Sequence, residues 1–86
     1  MIIQLKKFGI VLSSRPAGRD AYLAARSYLL GTANDSVKID CSGVKVLTPS
    51  WADEFFTPLK KLLGKRMTIL PSDNHSVVSS LKTIKA

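Results

Sequence analysis

Strand-like and helix-like stretches alternate along this chain, and that alternation limits its fold more than any single motif. Ile2 to Leu12 is rich in β-formers, with Ile2, Ile3, Leu5, Phe8, Ile10, Val11 and Leu12 all apolar. Lys6-Lys7 and Gly9 interrupt the run and predict a hairpin turn or a bulge in which Gly9 takes positive φ. Ser13-Ser14-Arg15-Pro16 predicts a loop into a helix, with Ser14 or Arg15 near the cap and Pro16 at the first position. From Ala17 to Leu30, Ala21, Ala24, Ala25, Tyr28 and Leu29 recur at helical spacing, an alanine-rich face able to approach a sheet closely. Gly31 is the stop signal and Thr32 to Ser36 a polar turn. Val37, Ile39 and Cys41 alternate with Lys38 and Asp40 as a short strand, and Ser42 to Pro49 is a connector whose Val44, Val46 and Leu47 should pack down.

A second helix is expected to start at Ser50. Trp51, Phe55, Leu59 and Leu62 form its apolar stripe, flanked by Ala52, Phe56 and Leu63, with Pro58 as an internal kink and Gly64 as the end. Met67 to Leu70 reads as a strand and Pro71-Ser72-Asp73 as a turn and cap. A last helix then buries Val77, Val78, Leu81 and Ile84. Strands separated by helices call for parallel pairing and right-handed crossovers, hence an α/β fold: a small, mostly parallel sheet with an N-terminal strand or hairpin and three helices. At 86 residues the chain makes one domain, residues 1–86, burying only about 60% of its unfolded surface. In such a sheet every strand-to-helix loop emerges at the carboxyl edge. Ser13 to Arg15, Ser42 to Ser50 and Pro71 to His75 should therefore share one rim, with three helix N-termini aimed at it.

Charge narrows the function classes. Thirteen Lys and Arg against six acids give a net charge of +7, which suggests a nucleic-acid or membrane partner. Placement tempers that reading. Asp20, Asp53, Glu54 and Asp73 fall in or beside expected first turns, and Lys60, Lys61, Lys65, Arg66, Lys82 and Lys85 in or just past last turns, as helix dipoles favour. No aromatics are interleaved with the lysines as a single-strand binder requires. No apolar run reaches membrane-span length and no signal peptide is evident, so the expected location is cytoplasmic, without membrane association. Cys41 is the single cysteine, which excludes an internal disulfide and a multi-cysteine zinc site, and in a buried strand it reads as a small core hydrophobe. No cofactor motif or metal-ligand set is expected.

Ser50 opens the second helix with Asp53 three residues on, close to a capping box. A hydroxyl there is exposed, and a phosphate placed on it would meet free N–H donors and the positive end of the dipole. Asp53 and Glu54 point about 100° apart on a helix and so do not converge on one substrate atom; Asp53 reads as cap partner and Glu54 as a dipole or partner contact. Arg15, Arg19 and Arg26 form either a solvated stripe or, through Arg15, an anion contact at the loop edge. Asp40 should fix the loop that follows it. His75 shares the rim with Ser50, but no nucleophile elbow surrounds that serine, and His75 reads as a surface residue.

Val37-Lys-Ile-Asp-Cys-Ser-Gly-Val44 followed by Pro49-Ser-Trp-Ala-Asp-Glu-Phe55 resembles the signature of the STAS-like family of unknown function, and Ser14-Arg15 with Gly18-Arg19 looks like that family's first loop and helix. The family is in turn similar to anti-sigma-factor antagonists, whose regulatory serine sits where Ser50 stands. The resemblance implies a bacterial, non-enzymatic regulatory module that binds a protein partner such as a kinase-like ATPase or an anti-sigma-type regulator. Its contact surface would be Arg15, Ser50, Asp53 and Glu54, with Ser50 the phosphoacceptor. The alternatives are a basic accessory protein that binds nucleic acid, and a nucleotide- or small-anion-binding domain with a cavity at the loop edge.

Overall fold

A computed structural model describes residues 1–29 and 35–86. The expected stop at Gly31 and the first part of the Thr32–Ser36 turn lie outside the described residues. The described residues form an α/β fold with three α-helices and parallel strand pairing. The strands are β1 (Ile2–Gln4), β2 (Val11–Leu12), β3 (Val37–Asp40), β4 (Val46–Leu47) and β5 (Met67–Ile69); the helices are α1 (Arg15–Leu29), α2 (Pro49–Leu63) and α3 (His75–Thr83).

β3 is the centre of a three-stranded sheet of order β1-β3-β5, with Ile3 opposite Ile39 and Ile39 opposite Ile69. β2 and β4 form a second parallel pair, Val11 opposite Val46 and Leu12 opposite Leu47. The same two stretches of chain thus pair twice, each interrupted once. No hairpin forms at the N-terminus. Instead a 3-10 turn over Leu5–Phe8 separates β1 from β2 and drives two side chains inward. Leu5 becomes fully buried, and the Phe8 ring packs 5.8 Å from Phe55 and 6.4 Å from Trp51, centroid to centroid. Gly9 closes the turn at φ 134°, its N–H donating to the Lys6 carbonyl at 3.1 Å, a conformation that a side chain would oppose.

The strands bury one face only. Ile3, Leu12, Val37, Ile39 and Leu47 point into the core, while Ile2, Val11, Lys38, Val46 and Thr68 face out. α2 supplies most of what covers the buried face. Trp51, Ala52, Phe55, Phe56, Leu59 and Leu63 are buried and Leu62 is exposed; the Trp51 and Phe55 rings stack at 4.9 Å. The helix runs unbroken through Pro58.

α1 packs chiefly against α2, not against the sheet. Its buried face is Gly18, Ala21, Ala25 and Leu29; of the expected face Ala21, Ala25 and Leu29 are buried, while Ala24 and Tyr28 lie at its side. Tyr28 is half-exposed, with the Lys7 ammonium 4.4 Å above its ring. Gly18 permits that packing, because a Cβ there would stand 3.0 Å from the Trp51 Cα and closer still to the Trp51 carbonyl oxygen. On α3, Val77 and Ser80 are buried, while Leu81 and Ile84 pack partly against the core. No described helix is long and apolar enough to cross a membrane.

Candidate functional site

β2 ends at Leu12, β4 at Leu47, and the chain turns from both into helices, so the loop edge is built where these strands stop. Thr48 joins them. Its N–H and its hydroxyl both donate to the Leu12 carbonyl, at 3.0 and 3.3 Å, and its Oγ1 accepts the Trp51 N–H at 3.4 Å. Thr48 is therefore the cap of α2, with Pro49 in the first helical position, where a missing N–H costs nothing. The expectation that Ser50 caps this helix is corrected: Ser50 lies inside the first turn, half-buried, and no hydrogen bond among the described residues engages its hydroxyl.

Asp53 is likewise not a cap partner. Its carboxylate accepts from the Arg15 guanidinium at 3.0 Å and from the Thr57 hydroxyl at 2.8 Å, while Glu54 lies 3.5 Å from the same Arg15 nitrogen. The Thr57 hydroxyl first, and then Arg15, hold the Asp53 carboxyl below its ordinary value; the Asp53 hydrogen bond in turn raises Arg15. Positions three and four apart share a helix face, so Ser50, Asp53, Glu54 and Thr57 make one outward face of α2, with Arg15 anchored across it from the start of α1. The start of α1 is fixed locally. Ser14 adopts φ 76° and its hydroxyl accepts the Ala17 N–H at 3.4 Å, capping α1 one residue before Arg15. Arg19 and Arg26 are exposed.

None of the described helices carries an acid in its first turn. Asp20, Asp53 and Glu54 sit in second turns and Asp73 directly before the cap of α3, so these acids stand beside the first turns and not in them. The basic half of that expectation holds for Lys60, Lys61 and Lys82, which lie in last turns.

The third connection reaches the same rim through Asn74, which caps α3 in place of the expected Asp73. Its Oδ1 accepts the Val77 N–H at 3.1 Å, and its amide nitrogen donates to the carbonyls of Val44 and Lys45 at 3.0 and 3.2 Å. β4 is then closed on its far side by α3. The Ser76 hydroxyl accepts the Leu47 N–H at 2.9 Å and donates to the Leu47 carbonyl at 3.0 Å, and Ser80 donates to that carbonyl as well. Two serines stand in for a neighbouring strand.

Asp40 fixes the turn after β3 by accepting the Ser42 N–H at 2.9 Å, the main reason its carboxyl lies below the ordinary value. Burial first, then the adjacent Asp40 charge, pushes the Cys41 thiol up to about 11, which leaves it a protonated core group at neutral pH. Between the Cys41–Val44 turn and the Pro71–Asn74 loop lies an open recess of about 540 Å³. Asp73 lines it and Asp40 adjoins it, a poor electrostatic setting for phosphate. His75 opens α3 as an exposed residue, and no described hydrogen bond or ion pair engages its ring. The described residues contain no group of three or more potential metal ligands.

Sequence reasoning missed Thr48, Asn74, Ser76 and Ser80. Thr48 was signalled by the proline after it. The serines of α3 had no local signal, because their partners lie some thirty residues away on β4. No protein-family profile, curated protein or solved structure matches this chain.

Proposed function

We propose that this protein is a STAS-like regulatory module that binds a protein partner through the start of α2 and the adjoining loop. The observation that carries the reading is the joint placement of Ser50, Asp53 and Glu54 on one outward face, with Arg15 tied to both acids from a different element. Binding modules need an exposed, preorganised set of charged groups; Arg15 is held by both Asp53 and Glu54, and Asp53 also by the Thr57 hydroxyl. The resemblance to anti-sigma-factor antagonists suggests a kinase-like ATPase or an anti-sigma-type regulator as the partner, and Ser50 as a phosphoacceptor. The antagonists' Asp-Ser-Ser-Gly motif is replaced here by Thr48-Pro49-Ser50-Trp51, so the partner's recognition would differ in detail.

A phosphate on Ser50 would lie in a first turn that holds no acid, near the positive end of the helix. It would also compete with Asp53 and Glu54 for Arg15, redistributing charge over the whole face. Ser50→Asp imitates part of that change. Affinity capture with wild-type and Ser50→Asp protein as bait should yield a partner that the variant loses by about tenfold or more, with far-UV circular dichroism unchanged. Equal capture of the same partner by both proteins would remove the switch.

A further inference from the structure

Every described strand pairing is parallel, and the order β1-β3-β5 advances in one direction. Right-handed crossovers between strands so ordered lay their helices on one face, whereas a doubly wound sheet reverses direction and covers both. α1 and α2 accordingly belong to the face that buries Ile3, Ile39 and Leu47, and α3 closes the far edge of β4. On the other face Ile2, Lys38 and Thr68 are exposed, as are Val11 and Val46, so no described helix covers them. A bare face is exceptional for parallel strands, which almost always have both faces packed.

What the bare face carries is apolar and basic. Ile2, Lys38 and Thr68 form one row across the three-stranded sheet, and Val11 and Val46 form an outward pair further along the same two tracks. Ile2 is 60% exposed, Val11 58%, Val46 40%, and Ile10, at the head of β2, 49%. Together these four leave on the order of 400 Å² of apolar surface open, the size of a functional patch on a monomer. Lys38 stands beside Ile2, and Lys45 directly precedes Val46; both are exposed. Lys6, on the turn between β1 and β2, reaches across to the β3–β4 connection, its Cδ 3.0 Å from where a Cβ on Gly43 would stand. The one acid among the described strand residues, Asp40, already accepts the Ser42 N–H.

We propose that this bare face docks an amphipathic helix of a partner protein, with its apolar stripe on Ile2, Val11 and Val46 and its acidic flank on Lys38 and Lys45. Helices are what cover the second face of parallel sheets, and one apolar stripe of a few turns matches the open area. A second copy of this chain fits worse on two counts. The apolar area is about half of the roughly 800 Å² that each side of a standard stable interface buries. Self-association would also set a net charge of +7 against the same charge, with Lys38 and Lys45 in the contact. Lipid binding would sink the surface about 5–10 Å into the headgroup boundary, carrying Lys38 and Thr68 down with Ile2. The face lies across the sheet from α2, so this proposal and the Ser50 reading stand or fall separately.

The test is fluorescence anisotropy of the 86-residue chain with a fluorescein-labelled synthetic peptide, two repeats of Leu-Glu-Ala-Leu-Glu-Glu-Ala. Saturable binding is expected, about tenfold weaker in the Val11→Thr/Val46→Thr variant, which keeps β-forming residues at both positions. Lys38→Glu/Lys45→Glu should weaken it by a similar factor, and a peptide with lysine in place of every glutamate should prefer that variant to the wild type. Far-UV circular dichroism should be the same for all these proteins, and Ser50→Asp should bind the acidic peptide as the wild type does. Absence of saturable binding, or equal binding by the double-valine variant, would overturn the proposal. So would a dimer in sedimentation equilibrium, or binding to phosphatidylserine vesicles, that is lost in the double-valine variant.

Discussion

A Cβ on Gly18 would stand 3.0 Å from the Trp51 Cα, so α1 and α2 meet there backbone to backbone. Gly18→Ala therefore sets two effects against each other. Helix propensity favours alanine by about 1 kcal/mol, while forcing apart two packed helices costs about 1–3 kcal/mol or more. Net destabilisation is expected, visible as a lower urea midpoint with an unchanged slope. The Asp53 carboxylate is the second residue-scale case. Its folded value is depressed, so the stabilisation it contributes is present above the ordinary carboxylate range and is lost as pH falls through the folded value. Thr57 and Arg15 both lower it, so Thr57→Val and Arg15→Ala should each raise the Asp53 midpoint, as followed by carboxyl NMR. On α1 the spacing of Ala21, Ala25 and Leu29 indicated the buried face, while Ala24 and Tyr28 at its side and Gly18 at its centre became clear only from the close contact with Trp51.

Among the elements, the α-helices and the strands β3 and β5 were legible because each is long or strongly patterned. Trp51, Phe55 and Leu59 fall at helical spacing, and Val37 and Ile39 alternate with polar residues. β4 was not legible. Val46–Leu47 is too short to display a period of two, and its pairing with β2 comes from the other end of a crossover. The capping error at α2 has the same root, since Thr48 and Ser50 are both cap-forming residues and only the proline between them indicates which one serves. The far side of β4 depends on α3. Ser76→Ala removes the one described partner of the Leu47 N–H and is expected to cost about 1–3 kcal/mol. Ser80→Ala leaves the Leu47 carbonyl with Ser76 and should cost less. Equal losses in thermal unfolding would show that the two hydroxyls are not dividing the work as described.

For the molecule as a whole, parallel crossovers oblige the strand-to-helix connections to emerge together, and this much of the candidate site followed from element order alone. Arg15, Thr48 and Asn74 stand at the starts of the three helices, and each bonds to another element: Arg15 to Asp53 on α2, Thr48 to the Leu12 carbonyl of β2, and Asn74 to the Val44 carbonyl between β3 and β4. What element order could not supply was the pairing of charges, because Arg15 meets Asp53 across 38 residues of chain. The proposed function requires this rim to act as a recognition surface. Amide hydrogen exchange with and without the captured partner tests that most directly. Slowed exchange confined to Ser13–Arg15 and Ser50–Glu54 is the expected result; protection that leaves both segments unchanged would contradict it.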